Sequence, residues 1–238
     1  MYLMKLLMLF LLLILVFCYL YFSYIHFYNF IGSVNLKSPF TQNSFVLSNS
    51  QGSGEVKYVA LGDSLSAGVG SSNVNDTFVY QYALNLPKKY QKVDLLNLAY
   101  PGSTTADVVS NQLSLAVEEN PDYVTLLIGT NDIHNRVSVG DFKDRYQFII
   151  NELLTKTDSK IVILTIPYLG SSKIVYPPFN FLLDFKIKQF NKIILDISQN
   201  ERIKIVDLYK EKQMIYSPDL FHPSGAGYLI WSKIINAN

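Results

Sequence analysis

The sequence predicts an α/β protein in which a parallel sheet lies between two layers of helices, preceded by one transmembrane helix. Two observations support this prediction. Short apolar runs typical of strands alternate with helical patterns, and one long uncharged run stands near the N-terminus. Alternating strands and helices require crossover connections, which produce a parallel sheet covered on both faces. We therefore expect a three-layer αβα domain around a five-stranded parallel sheet.

The run from Leu6 to Tyr24 contains no charged residue. As a helix it would be about 28 Å long, close to the hydrocarbon thickness of a bilayer. Tyrosines crowd its far end, as they do at a membrane interface. A cleaved signal peptide is the alternative, but its apolar core would be shorter and a small-residue cleavage site would follow it. The run therefore predicts an uncleaved membrane anchor.

The basic residues around this run indicate its orientation. Lys5 precedes it, and no Lys or Arg follows until Lys37. This asymmetry favours a cytoplasmic N-terminus. We therefore expect a single-pass protein of the cell membrane, with its C-terminal domain on the extracytoplasmic side. Residues 1–30 would be the anchor, residues 31–54, rich in Ser, Asn, Gln and Gly, a polar tether, and residues 55–238 one domain.

Five apolar runs within the domain predict strands, at Val56–Leu61, Val93–Leu98, Tyr123–Ile128, Lys160–Ile166 and Ile203–Val206. Helical patterns alternate with them and close the chain, at Thr77–Leu86, Thr104–Glu119, Asp141–Thr155, Phe179–Ser198 and Ser224–Ile235. Ligands of such sheets bind at the carboxyl ends of the strands. The residues that follow each strand are therefore the candidates for function.

Polar clusters containing glycine or proline follow four of the predicted strands or lie shortly beyond them. They are Gly62-Asp63-Ser64-Leu65, Tyr100-Pro101-Gly102-Ser103, Gly129-Thr130-Asn131-Asp132 and Asp219-Leu220-Phe221-His222-Pro223. Because parallel strands end at one edge of the sheet, we expect the clusters to meet there. Asp63 and Asp132 are expected to tie loops together through backbone N–H groups.

Ser64 and His222 together suggest nucleophilic catalysis. A serine hydroxyl is a poor nucleophile until a base takes its proton. Asp219 lies three residues before His222, so one turn of chain would place both side chains on the same side. Asp219 could then hold one ring nitrogen of His222 while the other faces Ser64, as in a Ser-His-Asp triad. The alternative is a capped surface turn, with Pro223 at the start of the last helix.

The four clusters, in this order and spacing, resemble those of the SGNH (GDSL-type) hydrolase family of esterases and lipases, from about Val56 to Ile235. The resemblance implies the flavodoxin-like SGNH hydrolase fold. It also implies that Ser64 is the nucleophile, that His222 is the base and that Asp219 orients it. The oxyanion hole would consist of the backbone N–H groups of Ser64 and Gly102 and the side-chain amide of Asn131.

The expected substrate is a small-molecule or glycan acyl ester, either a lipid acyl ester or an acetyl ester of an envelope glycan. An acyltransferase using the same acyl-enzyme and a non-catalytic binding module on this fold are the alternatives. The stretch Pro167–Leu183, rich in aromatic residues, could line an acyl pocket, touch the membrane surface or simply pack over the edge of the domain.

Neither a cofactor nor a nucleic-acid partner is predicted. The formal net charge of +1 provides no electrostatic basis for nucleic-acid binding. Cys18 is the only cysteine, which excludes an intramolecular disulfide and a cysteine-based zinc site. His134 with Asp132 could hold a metal, but so small a set of ligands makes a metal site a poor interpretation.

Overall fold

The computed structural model describes residues 2–33, 37–48, 52–86, 90–168, 174–197, 200–211 and 214–237. Within these ranges six strands form one sheet: β1 Ser44–Ser48, β2 Glu55–Gly62, β3 Lys92–Asn97, β4 Tyr123–Leu127, β5 Lys160–Leu164 and β6 Ile203–Val206. Their order across the sheet is β1-β3-β2-β4-β5-β6. Strands β2 to β6 are parallel, whereas β1 is antiparallel to β3.

The α-helices in the described part of the chain are α1 Tyr2–Ser33, α2 Phe78–Asn85, α3 Thr105–Asp107, α4 Leu113–Glu119, α5 Thr130–His134, α6 Val139–Lys156, α7 Phe179–Asp196 and α8 Gly225–Ala237. Helices α4, α6 and α7 pack on one face of the sheet, and α2 and α8 pack on the other. The predicted three-layer α/β fold is therefore confirmed.

Strand β2 shows why both faces of the sheet are covered. Val59 and Leu61 belong to the core under α6 and α7, while Tyr58 and Ala60 belong to the core under α2 and α8. All four are essentially inaccessible to solvent. Successive strand residues point to opposite faces, so an unbroken apolar run must be buried on both. Each large apolar side chain buried in this way stabilises the folded state by about 1.5–3 kcal/mol.

Strand β1 is the one difference from the predicted sheet of five parallel strands. Phe45 and Leu47 turn toward the core beneath α2, while Val46 is exposed. The run is short and is flanked by Ser, Asn and Gln, so its own pattern does not distinguish it from a polar linker. Pairing with the free edge of β3 makes it a strand. A flexible-tether description of residues 31–54 therefore does not apply to Ser44–Ser48.

Helix α1 has 32 residues and is about 48 Å long. Among the described helices it is the one long and apolar enough to cross a membrane, and its length and composition fit either a membrane anchor or a signal sequence. The side chains from Tyr2 to Phe17 are exposed. Farther along, the hydroxyl of Tyr19 donates a hydrogen bond to the carbonyl of Pro177 at 2.9 Å, so the end of α1 lies against the domain.

Candidate active site

Ser64 lies in a turn at the carboxyl end of β2, at the edge of the sheet where the polar clusters were expected. The preceding Gly62 has φ 147°, and an added Cβ would lie 2.3 Å from the carbonyl oxygen of Leu127. The position therefore requires glycine. The buried amide of Gln112 holds Gly62 from the other side: its oxygen accepts from the Gly62 N–H, and its nitrogen donates to the Gly62 carbonyl, each at 2.9 Å.

The role of Gln112 in holding Gly62 is not predictable from the sequence. This residue ends the π-helical segment Val108–Gln112, between α3 and α4. No motif includes it, and a polar residue in a helical pattern ordinarily indicates an exposed face. Here Gln112 lies in a wider, π-helical turn. Its side-chain amide reaches β2 and forms hydrogen bonds with both the N–H and the carbonyl of Gly62. The amide thereby fixes the start of the Ser64 turn.

The structure brings Ser64, His222 and Asp219 together. His222 Nε2 lies 2.9 Å from Ser64 Oγ, and His222 Nδ1 lies 2.8 Å from Asp219 Oδ2. Ser64 and His222 are both buried, with exposed fractions of 7% and 2%. The arrangement suits a neutral imidazole that donates its Nδ1–H to the carboxylate and accepts a hydrogen bond from the serine hydroxyl.

Asp219 is held as a carboxylate by four hydrogen bonds. Besides His222 Nδ1, it accepts from the Ser217 hydroxyl at 2.6 Å and from the backbone N–H groups of Phe221 and His222, each at 2.9 Å. Burial by itself would raise the pKa of Asp219, but these hydrogen bonds outweigh burial and hold the pKa well below its ordinary value. The carboxylate is therefore charged throughout the neutral range and orients the imidazole.

Gly102 and Asn131 line the same cavity as Ser64. Gly102 has φ 87°, and an added Cβ would meet no protein atom within 4 Å, so glycine is required here by its backbone conformation rather than by crowding. Asn131 Nδ2 donates to the carbonyl of Ser103 at 3.0 Å. An amide nitrogen has two hydrogens, so this bond positions the side chain and leaves a second donor.

Asp132 ties two segments together through a backbone N–H group, as expected, whereas Asp63 accepts a hydrogen bond within its own turn. Asp63 Oδ1 accepts from the Leu65 N–H at 2.9 Å within the Ser64 turn. Asp132 Oδ2 accepts from the Thr105 N–H at 2.9 Å, and its other oxygen accepts from the Thr105 hydroxyl. Burial raises the pKa of Asp63 to about 7, and the nearby Asp132 adds to this rise, although the Leu65 N–H opposes it. Asp132 therefore links α5 to the start of α3, and Asp63 stabilises the turn that carries Ser64.

His134 contacts aromatic rings of α1. Its ring centroid lies 6.1 Å from that of Phe27 and 5.4 Å from that of Tyr28. Burial and the positive charge of Arg136 lower the pKa of His134, so the imidazole is neutral at neutral pH. In the described parts of the chain no three His, Cys, Asp or Glu side chains are grouped so that they could hold a metal ion.

Ser64 and His222 open into a cavity of about 440 Å³ with a largely apolar wall. Its apolar and aromatic lining comes from three helices and the loops beside them: Tyr24, Phe27, Tyr28, Ile133, Val137, Val175, Phe179, Leu182, Leu183 and Phe221. Within the aromatic stretch Pro167–Leu183, residues 169–173 lie outside the described residues. In its later part, Val175, Phe179, Leu182 and Leu183 line the cavity, which supports the pocket interpretation of that stretch over simple packing at an edge.

Known proteins resemble this chain in sequence and in fold. Residues 60–230 match the GDSL-like Lipase/Acylhydrolase family. The chain is 25% identical to the spore germination lipase LipC of Bacillus licheniformis over 210 residues, which cover 76% of this chain and 95% of that protein.

Solved structures share the fold. A lipase, Lip_vut3, from a goat rumen metagenome superposes with a TM-score of 0.63 at 22% identity, covering 76% of this chain and 96% of that one. Axe2, an acetylxylan esterase of Geobacillus stearothermophilus, superposes with a TM-score of 0.59 at 18% identity, covering 77% and 93%. The family match spans well over half of the sequence, and the chain therefore belongs to the GDSL-like lipase/acylhydrolase family of ester hydrolases.

Proposed function

We propose that the protein cleaves carboxylic esters with long acyl chains through an acyl-enzyme on Ser64. The observation that carries this proposal is the hydrogen-bonded series Asp219–His222–Ser64, in which Ser64 and His222 line an apolar cavity. A binding module would have no use for a buried serine hydroxyl in contact with an oriented imidazole. The same geometry is what acyl transfer to a serine requires.

In the proposed reaction His222 Nε2 takes the hydroxyl proton as Ser64 Oγ attacks the ester carbonyl. The tetrahedral intermediate collapses, and His222 returns the proton to the departing alcohol, which leaves an acyl group on Ser64. Water then attacks the acyl-enzyme while His222 takes its proton. His222 returns that proton to Ser64 Oγ as the second tetrahedral intermediate collapses, which releases the carboxylic acid and restores the serine hydroxyl. Asp219 keeps its charge and stabilises the imidazolium formed in each step.

The carbonyl oxygen becomes an anion in both tetrahedral intermediates and needs fixed donors. We assign these donors to the backbone N–H groups of Ser64 and Gly102 and to the free amide hydrogen of Asn131. Ser64, Gly102 and Asn131 all line the same cavity, which supports this assignment. All three are neutral, so they stabilise the anion without competing for the proton that His222 transfers.

The cavity favours a long acyl chain over an acetyl group. Its volume of about 440 Å³ lies in the range of sites that enclose a whole small ligand. An acetyl group would fill a small fraction of it and would leave most of the apolar wall in contact with water. Named relatives include both a lipase and an acetylxylan esterase, so their names support ester hydrolysis and leave the acyl length to the cavity.

Covalent labelling tests this function. A fluorophosphonate probe should label the full-length protein at Ser64, since such probes react with activated serines. Hydrolysis of p-nitrophenyl decanoate should have a kcat/KM at least about tenfold above that of p-nitrophenyl acetate, because the longer acyl chain fills the apolar cavity. Acetylated xylan is the comparison substrate. An unlabelled protein would contradict the serine mechanism, and preference for acetyl esters would contradict the acyl-chain assignment.

We further propose that residues 1–30 anchor the protein in the cell membrane and that residues 55–238 form the hydrolase domain on the extracytoplasmic side. Lys5 before the apolar run and the absence of Lys and Arg until Lys37 support this orientation. The labelled protein should sediment with membranes, and protease added to intact wall-less cells should remove the labelled domain. Protection of the domain until the membrane is permeabilised would reverse the orientation.

A further inference from the structure

The second half of α1 contacts the domain through polar and aromatic side chains. The Tyr19 hydroxyl donates to the Pro177 carbonyl, and the Arg136 guanidinium donates to the Tyr24 hydroxyl. The same guanidinium lies 5.8 Å from the centre of the Tyr24 ring, within the range of a cation–π contact. The ring centroids of Tyr24 and Phe179 are 6.0 Å apart. Together with the contacts of His134 with Phe27 and Tyr28, these contacts place α1 against α5 and α7, beside the catalytic cavity.

Three aromatic side chains of this segment line the cavity that contains Ser64 and His222. They are Tyr24, Phe27 and Tyr28. Their spacing of three and four residues places them on one face of the helix. An apolar anchor needs no such face toward a soluble domain, yet this one closes one side of the site. Helix α1 is therefore a structural part of the cavity as well as a candidate anchor.

We propose that α1 belongs to the substrate-binding site, where Tyr24, Phe27 and Tyr28 hold the acyl chain, and that the ester enters this site directly from the bilayer. The proposal rests on the esterase function and the membrane anchor proposed above. It assigns the substrate to the acyl esters of membrane lipids, whose chains already lie beside α1.

The depth of the contacts along α1 supports entry from the bilayer. The apolar run that spans the hydrocarbon region ends at Tyr24, and contact with the domain begins five residues earlier, at Tyr19. At 1.5 Å per residue the domain would overlap the apolar run by roughly 8 Å. The cavity wall formed by Phe27 and Tyr28 follows immediately. The mouth of the cavity would therefore lie at the membrane interface.

Helix α7 presents an apolar surface at the same depth relative to the bilayer as the mouth of the cavity. Phe181, Leu182 and Phe185 are 66%, 57% and 59% exposed. They share one face of α7, and Leu182 also lines the cavity. Contiguous exposed apolar side chains of this size mark surfaces that meet a membrane or a partner. Because α7 starts beside the membrane-spanning helix, we assign the bilayer as the partner of this surface. The surface leads into the cavity through Leu182.

A pair of matched double variants tests the role of α1. Full-length protein would be reconstituted in phosphatidylcholine vesicles and assayed with p-nitrophenyl dodecanoate and p-nitrophenyl acetate. In Phe27→Ala/Tyr28→Ala the ratio of the two kcat/KM values, long ester over short, should fall at least about tenfold, since the chain loses an aromatic wall. The control Phe17→Ala/Tyr21→Ala removes one Phe and one Tyr from exposed positions of the same helix and should keep the wild-type ratio.

Labelling of Ser64 by a short-chain fluorophosphonate would verify that the site of each variant is assembled. Phe27→Trp keeps an aromatic packing surface and should lower the same ratio by narrowing the cavity. An unchanged ratio in both Phe27 variants, or an equal fall in the control, would overturn the proposal. Wild-type protein that neither reacts with the probe nor hydrolyses either ester would instead contradict the proposed function, so the two failures are distinguishable.

Discussion

Replacing Ser64 by Ala should lower kcat for p-nitrophenyl esters by about four to six orders of magnitude, and His222→Ala should do the same. The hydroxyl and the imidazole lie 2.9 Å apart and act on one proton, so loss of either removes the attack on the carbonyl. Steady-state hydrolysis by the purified full-length protein measures the effect. Ser72→Ala, at an exposed position shortly after the same turn, is the control and should retain wild-type activity.

The double variant Ser64→Ala/His222→Ala separates this mechanism from two independent contributions. Residues that act as a unit are not additive, so the double variant should be about as slow as each single one. Circular dichroism would verify that each variant is folded. Near-normal hydrolysis by a folded Ser64→Ala protein would show that another group attacks the ester, and the mechanism proposed here would be wrong.

Replacing Asn131 by Ala should lower kcat by about 10²–10³ with little change in KM. The proposed donor stabilises charge that develops only in the transition state, so its loss should leave ground-state binding nearly intact. Asn135→Ala is a matched control, because that asparagine is exposed at the end of the same short helix and does not line the cavity. Kinetics over a range of ester concentrations separates the two constants.

An effect of Asn131→Ala confined to KM would make the side chain a substrate-binding group instead of a member of the oxyanion hole. The substitution also removes the hydrogen bond from Asn131 to the Ser103 carbonyl, so its effect on folding must be measured separately. Thermal unfolding of the variant would detect it. A variant with the wild-type melting temperature and a reduced kcat would support the assignment.

Most of the sheet was predictable because its information is local. The three central parallel strands, β2, β4 and β5, contain short apolar runs buried on both faces, and in a run such as Tyr58–Leu61 no residue is exposed. Strand β1 was missed because its five residues include two serines and a solvent-facing Val46. Only the open edge of β3 makes this segment a strand, and an edge is a property of the assembled sheet.

The candidate site divides in the same way. Ser64, Gly102, Asn131, Asp219 and His222 were identifiable because each follows a strand or stands in a short motif. Gln112 was not, because its amide acts on Gly62, 50 residues away, from within an ordinary helical pattern. Ser217 was missed for a related reason: its role is to donate a hydrogen bond to Asp219, and a serine in a turn is common.

The sequence by itself determined the layered α/β fold, the polar clusters at one sheet edge and the apolar helix that precedes them, because periodicity and strand ends are encoded within a few neighbouring residues. The tertiary structure alone decided that α1 lies against the domain and walls the cavity. That contact joins Tyr24 to Arg136 and Phe179, each more than 100 residues away in sequence, through a tilted ring contact, a cation–π contact and one hydrogen bond. Such pairings depend on how the helices pack, and no local pattern in either segment specifies the other.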